Sequence, residues 1–446
     1  MVFASGFLKF RLLKGVTTMP RLTVFRNTVF KRYPAQSFFT PAHDKASVSA
    51  GAELEIEYAL RVGQHGLVKL KDPVDPVGRV GYFFLPHVQV QLTELRGVWL
   101  TNTDSDILHS RHSIETGLQS LNALGFTTIY PVVWQRGFTL YPSTVAEAFT
   151  GSRISPDSHF ANRDMLAEVV DAAKACGMRV IPWFEYGLAV PANSSLHHRQ
   201  AHLLTLDQRG EPIRINHMTG KPDVHVWLNP CRTEVQQFMV DLIADVAERY
   251  SVDGIQLDDH FCFPVELGYD SFTQELYKAE TGRVMPQDMS NSQRLKWLAD
   301  KMTNLLAQIY DAVKSKSEDC RISLSPNPLG FSKANYALDW RSWERQGLIE
   351  ELVLQVYRDN MTSFISEISK SEVLDAQTHI PTAIGVLTGL RTRSVSTSVV
   401  EQQIQEVRRR NFAGVSCFFY ETLFHEQLSP TRIVRNSTDL QRVFIA

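Results

Sequence analysis

The chain of 446 residues has no CxxC pair. Its five cysteines, Cys176, Cys231, Cys262, Cys320 and Cys417, are scattered. That spacing excludes a disulfide framework and a cysteine zinc site, and leaves free thiols as the expectation. No apolar run approaches the roughly 18 to 20 residues of a membrane span. An excess of one charge is missing too. A net charge of −2 gives no field for a polyanion, so nucleic acid is set aside as a partner. Nothing like GxGxxG follows the first strand of the α/β part, which argues against a dinucleotide site. No strand there ends in a lysine, as a Schiff-base aldolase needs. No His-x-His stands at its first strand, as a barrel amidohydrolase needs. His197, His198, His202 and His217 match no zinc spacing. Neither a metal nor an organic cofactor is expected.

One further absence is local. Asp44 is the first acidic residue, and Lys9, Arg11, Lys14, Arg21, Arg26, Lys31 and Arg32 precede it. Residues 1–20 read as a targeting segment or as an extension ahead of a start at Met19. Phe7 to Leu13 is too short and too interrupted by charge for a secretory core. A cytoplasmic protein is the expectation, with the cell envelope as the alternative.

Apolar residues at 43% and charged residues at 21% make an ordinary globular composition. Residues 21–92 carry short β-type runs: Leu22 to Phe25, Leu54 to Tyr58, Val80 to Phe84 and Val88 to Val90. Turn residues such as Asp72-Pro-Val-Asp-Pro76 separate them. They predict a small all-β domain, SH3-like or barrel-like.

Residues 93–446 alternate strand and helix. Eight apolar strand candidates run from Gly97–Leu100 through Thr128–Val133, Arg179–Phe184, Gly254–Leu257, Ile322–Leu324, Leu352–Tyr357 and Pro381–Ile384 to Gly414–Tyr420. Helical faces lie between them, among them Ile114, Leu118 and Leu121, then Val235, Phe238, Met239 and Leu242. This order predicts an α/β fold with a (β/α)8 barrel, preceded by the small β domain. An open doubly wound sheet is the alternative. Two connections, 188–224 and 260–290, are long enough to serve a site.

In such a barrel, chemistry sits at the C-terminal ends of the strands. The fourth strand delivers Asp258, Asp259 and His260 there. Two adjacent acids after an apolar strand conflict with burial unless a site uses them. Alternation along the strand puts Asp258 inward, in phase with Gln256. Asp253 precedes the strand and reads as a cap or turn residue. Other strand ends supply Asn102, Trp134, Tyr141, Trp183, Glu185, Tyr186, Gln355, Tyr357, Tyr420 and Glu421. Rings beside amides and carboxylates suit a sugar. A carboxylate pair suits glycosidic hydrolysis. Asp258 is the expected nucleophile or base. Glu185 is the expected acid, kept protonated by Trp183 and Phe184, with Asp259 or Glu421 as fallbacks. A silent glycan-binding barrel is the competing reading. A barrel lyase or hydrolase with a divalent metal at Asp258, Asp259 and His260 is a third.

Five motifs in order, Arg96-Gly-Val-Trp-Leu-Thr101, Tyr141-Pro-Ser143, Trp183-Phe-Glu-Tyr186, Trp227-Leu-Asn-Pro230 and Asp253-Gly-Ile-Gln-Leu-Asp-Asp259, resemble the glycosyl hydrolase-like 10 family. The resemblance implies a (β/α)8 barrel and glycosidase activity. It also brings Asn229 into the candidate substrate-binding set. Some family members are similar to enzymes that cut peptidoglycan glycan strands, and the β module resembles a cyanobacterial arrangement. The fourth strand also echoes the chitinase pattern Asp-Gly-x-Asp-x-Asp-x-Glu. Here Gln256 and His260 replace the second acid and the catalytic glutamate, so the general acid must come from elsewhere.

Overall fold

The computed structural model describes residues 11–13, 20–62, 64–212, 214–216, 223–429 and 432–445. Met19, His217 and most of the 1–20 segment therefore lie outside the described residues.

The α/β part is built on one sheet of nine parallel strand segments. They are β1 (Leu95–Leu100), β2 (Thr128–Pro131), β3 in two pieces (Arg179–Val180 and Trp183–Phe184), β4 (Gly254–Asp258), β5 (Arg321–Ser325), β6 (Glu351–Gln355), β7 (Thr382–Leu387) and β8 (Gly414–Phe418). The first piece of β3 pairs with β2, and the second with β4. Pro182, which has no N–H to give a ladder, lies between the pieces. The two ends of the sheet are thus halves of one strand, and β8 pairs with β1. The sheet curls round on itself.

Helices cover its outer face at the predicted places, including Arg111–Ala123, Met165–Ala175, Thr233–Arg249, Ser292–Lys316 and Thr397–Arg409. Ile114, Leu118 and Leu121 bury one helix, and Val235, Phe238, Met239 and Leu242 another. Ser110, Asp164 and Asn291 cap the N-termini of three of them. Because helices close the outside and side chains fill the inside, β1, β2, β4 and β7 are buried along their whole length.

The inside of the barrel is polar at its middle. Trp99 on β1 donates to Gln256 on β4 (2.7 Å), and Gln256 donates to Ser323 on β5 (3.1 Å). Ser323 and Tyr130 both donate to Glu351 at the start of β6 (3.1 Å each), and Arg179 reaches its other oxygen (3.3 Å). Trp99, Gln256, Ser323, Tyr130 and Glu351 are thus all partnered, as burial requires.

The 188–224 connection holds a three-stranded antiparallel sheet (Ala189–Pro191, Arg214–Asn216, Asp223–Trp227). The 260–290 connection leads into the helix Ser271–Thr281.

Ahead of β1, eight strands form a second sheet, antiparallel except where Arg11–Leu13 runs beside Val88–Thr93. It encloses its own core, which includes Leu22, Phe30, Ile56, Val68, Phe83 and Val90. Three of its strands, Thr28–Lys31, Lys45–Val48 and His65–Val74, carry no strong sequence signal. Arg79 bonds Asp319, and Glu57 bonds Arg321 (3.2 Å). Asp319 and Arg321 stand at the N-terminal end of β5, so the module meets the barrel at the end away from Asp258.

Candidate active site

The site is built from the C-terminal ends of β3 to β6. Along β4, Gln256 and Asp258 point into the barrel, as alternation predicts, while Ile255 and Leu257 join the outer core. The strand stops at Asp258, and Asp259 and His260 form a turn. The turn releases Asp259 from the alternation, so its carboxylate comes back beside Asp258.

Asp258 is 3% exposed. Its Oδ1 accepts from Ser325 Oγ (3.1 Å) and Gln355 Nε2 (2.7 Å). Burial first, then the charge of Asp259 and that of Glu185, push its carboxyl well above the ordinary carboxylate range. A hydrogen bond to the Asp259 side chain adds to this, and the Asp259 backbone N–H opposes it. Asp259, half-buried, accepts from Asn327 Nδ2 at 2.6 Å. His260 Nδ1 lies 3.7 Å from Asp259 and 3.2 Å from the Glu185 carbonyl. Glu185, also half-buried, accepts from Gln135 Nε2 (2.9 Å), which also reaches Thr103 (3.0 Å). Tyr357 completes the cluster. Burial, then the charges of Asp258, Asp259, Cys417 and Glu185, drive its phenol well above the usual range.

Rings flank these acids. Tyr186 stacks on His260 with centroids 5.7 Å apart, and Trp227 lies at 6.1 Å from the same imidazole. His225 closes the group at 5.4 Å from Tyr186. Trp183 packs between Trp99 (6.3 Å) and Phe418 (6.4 Å).

Gly187 lets the two loops meet. It has φ +48°, and a Cβ there would stand 2.5 Å from the Phe261 backbone nitrogen. Only glycine fits both the angle and the space. Gly187→Ala is therefore expected to destabilise the fold by more than about 1 kcal/mol. It should also lower any activity that needs Glu185 beside His260. A thermal melt with an activity assay checks both.

Asp258, Asp259, Glu185, His260, Tyr186, Gln355 and Tyr357 are thus brought together, with Trp183 beneath them. Asn102 follows β1, with its Oδ1 buried and without a partner among the described residues. Five other candidates lie away from these acids. Trp134 is buried against Phe238 of the outer helix and donates to the Gly187 carbonyl (2.9 Å). Tyr141 is buried against Tyr250 and beside Arg249, at the far end of that helix. Asn229 is fully buried and ties Asp270 (3.2 Å) and Thr273 (2.7 Å) into one loop junction. Tyr420 turns outward, and its hydroxyl limits the space beside Gly117 of the first helix. Glu421 accepts from Ser105 Oγ (3.3 Å) and the Asp106 N–H (3.2 Å), fastening the loop after β1. Strand-end position brought these residues forward, or the family motif in the case of Asn229. The direction of each side chain takes them away from the acids. Asp253 accepts from the Val180 N–H (2.8 Å) on the first piece of β3 and so joins two strands away from the acids.

His225 carried no sequence signal beyond its place near Trp227. Ser325, Asn327 and Gln135 stood at strand ends, and their role as donors to the acids appears only in three dimensions.

Among the described residues, Asp258, Asp259 and His260 form the one group whose ligand atoms all lie within 4.8 Å of one another. A divalent cation could use such a group. Donors from Ser325, Gln355 and Asn327 already occupy lone pairs of both carboxyls.

A curled parallel sheet covered by helices is a barrel fold that glycosidase catalytic domains share. The glycoside hydrolase domain of PgaB (BpsB) from Bordetella bronchiseptica superposes with a TM-score of 0.54 at 12% identity. It covers 73% of this chain and 94% of that domain. The catalytic domain of a β-amylase from Paenibacillus polymyxa gives 0.52 at 12% identity, over 78% and 97%. The chain belongs to the glycosyl hydrolase-like 10 family, whose profile matches residues 94–406. It is also 25% identical over 300 residues to the glycosyl hydrolase DigH of Escherichia coli K12. That match spans 59% of this chain and 65% of the relative's length.

Proposed function

We propose that the protein is a glycoside hydrolase that cleaves O-glycosidic bonds of a polysaccharide or glycan strand within a (β/α)8 barrel. The observation that carries this reading is the buried Asp258 carboxyl, hydrogen-bonded to Asp259 with Glu185 beside both. Two carboxyls in contact share one proton, because both cannot ionise cheaply. Burial and these charges let Asp258 hold its proton to a higher pH than an ordinary carboxylate, as a general acid must.

We assign the acid to the Asp258–Asp259 pair. This reverses the expectation that Glu185 holds the proton. Asp258 keeps it by burial, and Asp259, the more exposed partner, passes it to the leaving oxygen. Glu185 then serves as the carboxylate facing the positive charge that develops on the sugar ring, as nucleophile or as base. Gln135 fixes its orientation. His260, its side chain 26% exposed and backed by the buried rings of Tyr186 and Trp227, is the ring open to a pyranose face. The glycosidase names of the relatives support the same chemistry. The glycan strand of peptidoglycan is the substrate to try first, on the family resemblance.

The test is release of reducing ends from a polysaccharide panel that includes peptide-free peptidoglycan strands. Glu185→Gln is expected to lower turnover by about 10²- to 10⁴-fold. Wild-type rates from that variant would remove Glu185 from the chemistry. The rate should also fall as pH rises through the raised pKa of Asp258, because the acid is then lost. A rate that stays flat well above the ordinary carboxylate range would remove the pair as acid.

A further inference from the structure

Strand β8 ends in a ring that the proposed chemistry does not use. Phe418 is its last residue. The rings around it come from three other strands: Trp99 of β1 (6.0 Å between centroids), Trp183 of β3 (6.4 Å) and Tyr357 just beyond β6 (5.5 Å). Phe418 therefore lies inside the barrel. Beneath it the bore is filled by the network of Trp99, Gln256, Ser323 and Glu351. Phe418 is nonetheless only half-buried. With the bore filled below, the open part of its ring faces the mouth, where the acids stand.

Two hydrogen-bond donors beside this ring are unspent. The Tyr357 hydroxyl has no partner among the described residues, while the charges of Asp258, Asp259 and Glu185 all act on it. Trp183 is 3% exposed, and its Nε1 has no partner among the described residues either. The amides nearby are committed: Gln355 to Asp258, Asn327 to Asp259 and Gln135 to Glu185. A buried N–H left unmet is costly, and an acceptor oxygen brought by a ligand removes that cost. Tyr357 stands two residues after Gln355, and Trp183 two residues before Glu185. Alternation puts each donor on the face of its strand that serves an acid.

We propose that Phe418 is the floor on which the sugar unit beside the cleaved bond stacks, with Tyr357 Oη donating to an oxygen of that unit and Trp183 Nε1 as the second donor. This subsite presupposes the glycan-cleaving reading above. A flat apolar ring with donors at its margin matches a pyranose, whose C–H face is apolar and whose rim carries oxygens. The accepting oxygen belongs to a ring hydroxyl or to an acyl carbonyl carried on the ring.

The experiment is calorimetric binding of two oligosaccharides to the full chain carrying Asp258→Asn, which leaves the glycan intact. One is a cello-oligosaccharide, which has hydroxyls alone. The other is a chito-oligosaccharide of the same linkage, which adds acyl carbonyls. Phe418→Leu fills the space without a flat face and is expected to weaken binding about tenfold. Tyr357→Phe keeps the ring against Phe418 and loses only the hydroxyl. It is expected to weaken binding by about three- to tenfold, with an unchanged melting temperature because that hydroxyl has no partner among the described residues. A loss with the cello-oligosaccharide assigns the acceptor to a hydroxyl. A loss confined to the chito-oligosaccharide assigns it to the acyl carbonyl. Undiminished affinity in either variant overturns the subsite, and so does failure of the Asp258→Asn protein to bind either sugar. Weakened binding in both variants, beside a wild type that cuts no glycan of the panel, would keep the subsite and remove the glycosidase reading.

Discussion

Asp258→Asn is expected to lower sugar release by about a thousandfold while the fold and glycan binding persist. The amide is the right shape for the site. Its carbonyl can accept from Ser325 and Gln355 as Asp258 Oδ1 does, and its NH2 can donate to Asp259. It cannot give up a proton. The same variant should be at least as stable as the wild type at neutral pH. The sign follows from linkage. The folded-state pKa of Asp258 is raised above its unfolded value. Its contribution is fully present below the unfolded pKa and is lost as pH rises through the folded one. Asparagine has no such loss, so the gap between variant and wild type should widen as pH rises. Chemical denaturation at several pH values, beside the activity assay, checks both halves. An active variant would separate Asp258 from the reaction. Parallel pH dependences would show that Asp258 does not hold the raised pKa.

Glu351→Ala is expected to cost about 3 to 5 kcal/mol of stability. Glu351 is 1% exposed and accepts from Tyr130, Ser323 and Arg179. Its removal strands two hydroxyls and a guanidinium inside the barrel. The Arg179 side chain is 30% exposed by surface area, and water can partly replace its partner. The lower end of the range is therefore expected. Glu351 opens β6, whereas Gln355 at the other end meets Asp258. The variant should lose stability in a urea titration and keep its turnover number well below its melting temperature. An unchanged urea midpoint would mean that the network is not under tension from burial.

The barrel was legible because two periodicities alternate. Apolar runs of three to seven residues became strands, and i, i+3, i+4 faces became helices. The position of Asp258 was legible because Gln256 and Asp258 share a face in any regular strand. The return of Asp259 was not, since it depends on the strand ending one residue earlier. Trp134, Tyr141, Asn229, Tyr420 and Glu421 show the limit of strand-end reasoning. Trp134 and Tyr141 turn outward because the chain forms a short hairpin, Trp134–Gln135 with Phe138–Thr139, before the next helix. Asn229 is spent on Asp270, a residue 41 positions away. Pairings across such distances leave no local pattern. His225 joins the aromatic group through a strand pairing inside a long loop, which no short-range signal announces. The β module was legible only where its runs were strongly apolar. Lys45–Val48 and His65–Val74 mix lysine and histidine into their strands.

The central claim is hydrolysis, and its competitor is a barrel that binds glycan and leaves it intact. One measurement separates them: wild-type protein and a single soluble glycan, with binding followed by calorimetry and reducing ends counted in the same sample over time. The expected result is binding followed by a steady rise in reducing ends that stops in Asp258→Asn. Saturable binding with no new reducing ends at any pH would contradict the account and establish the silent barrel.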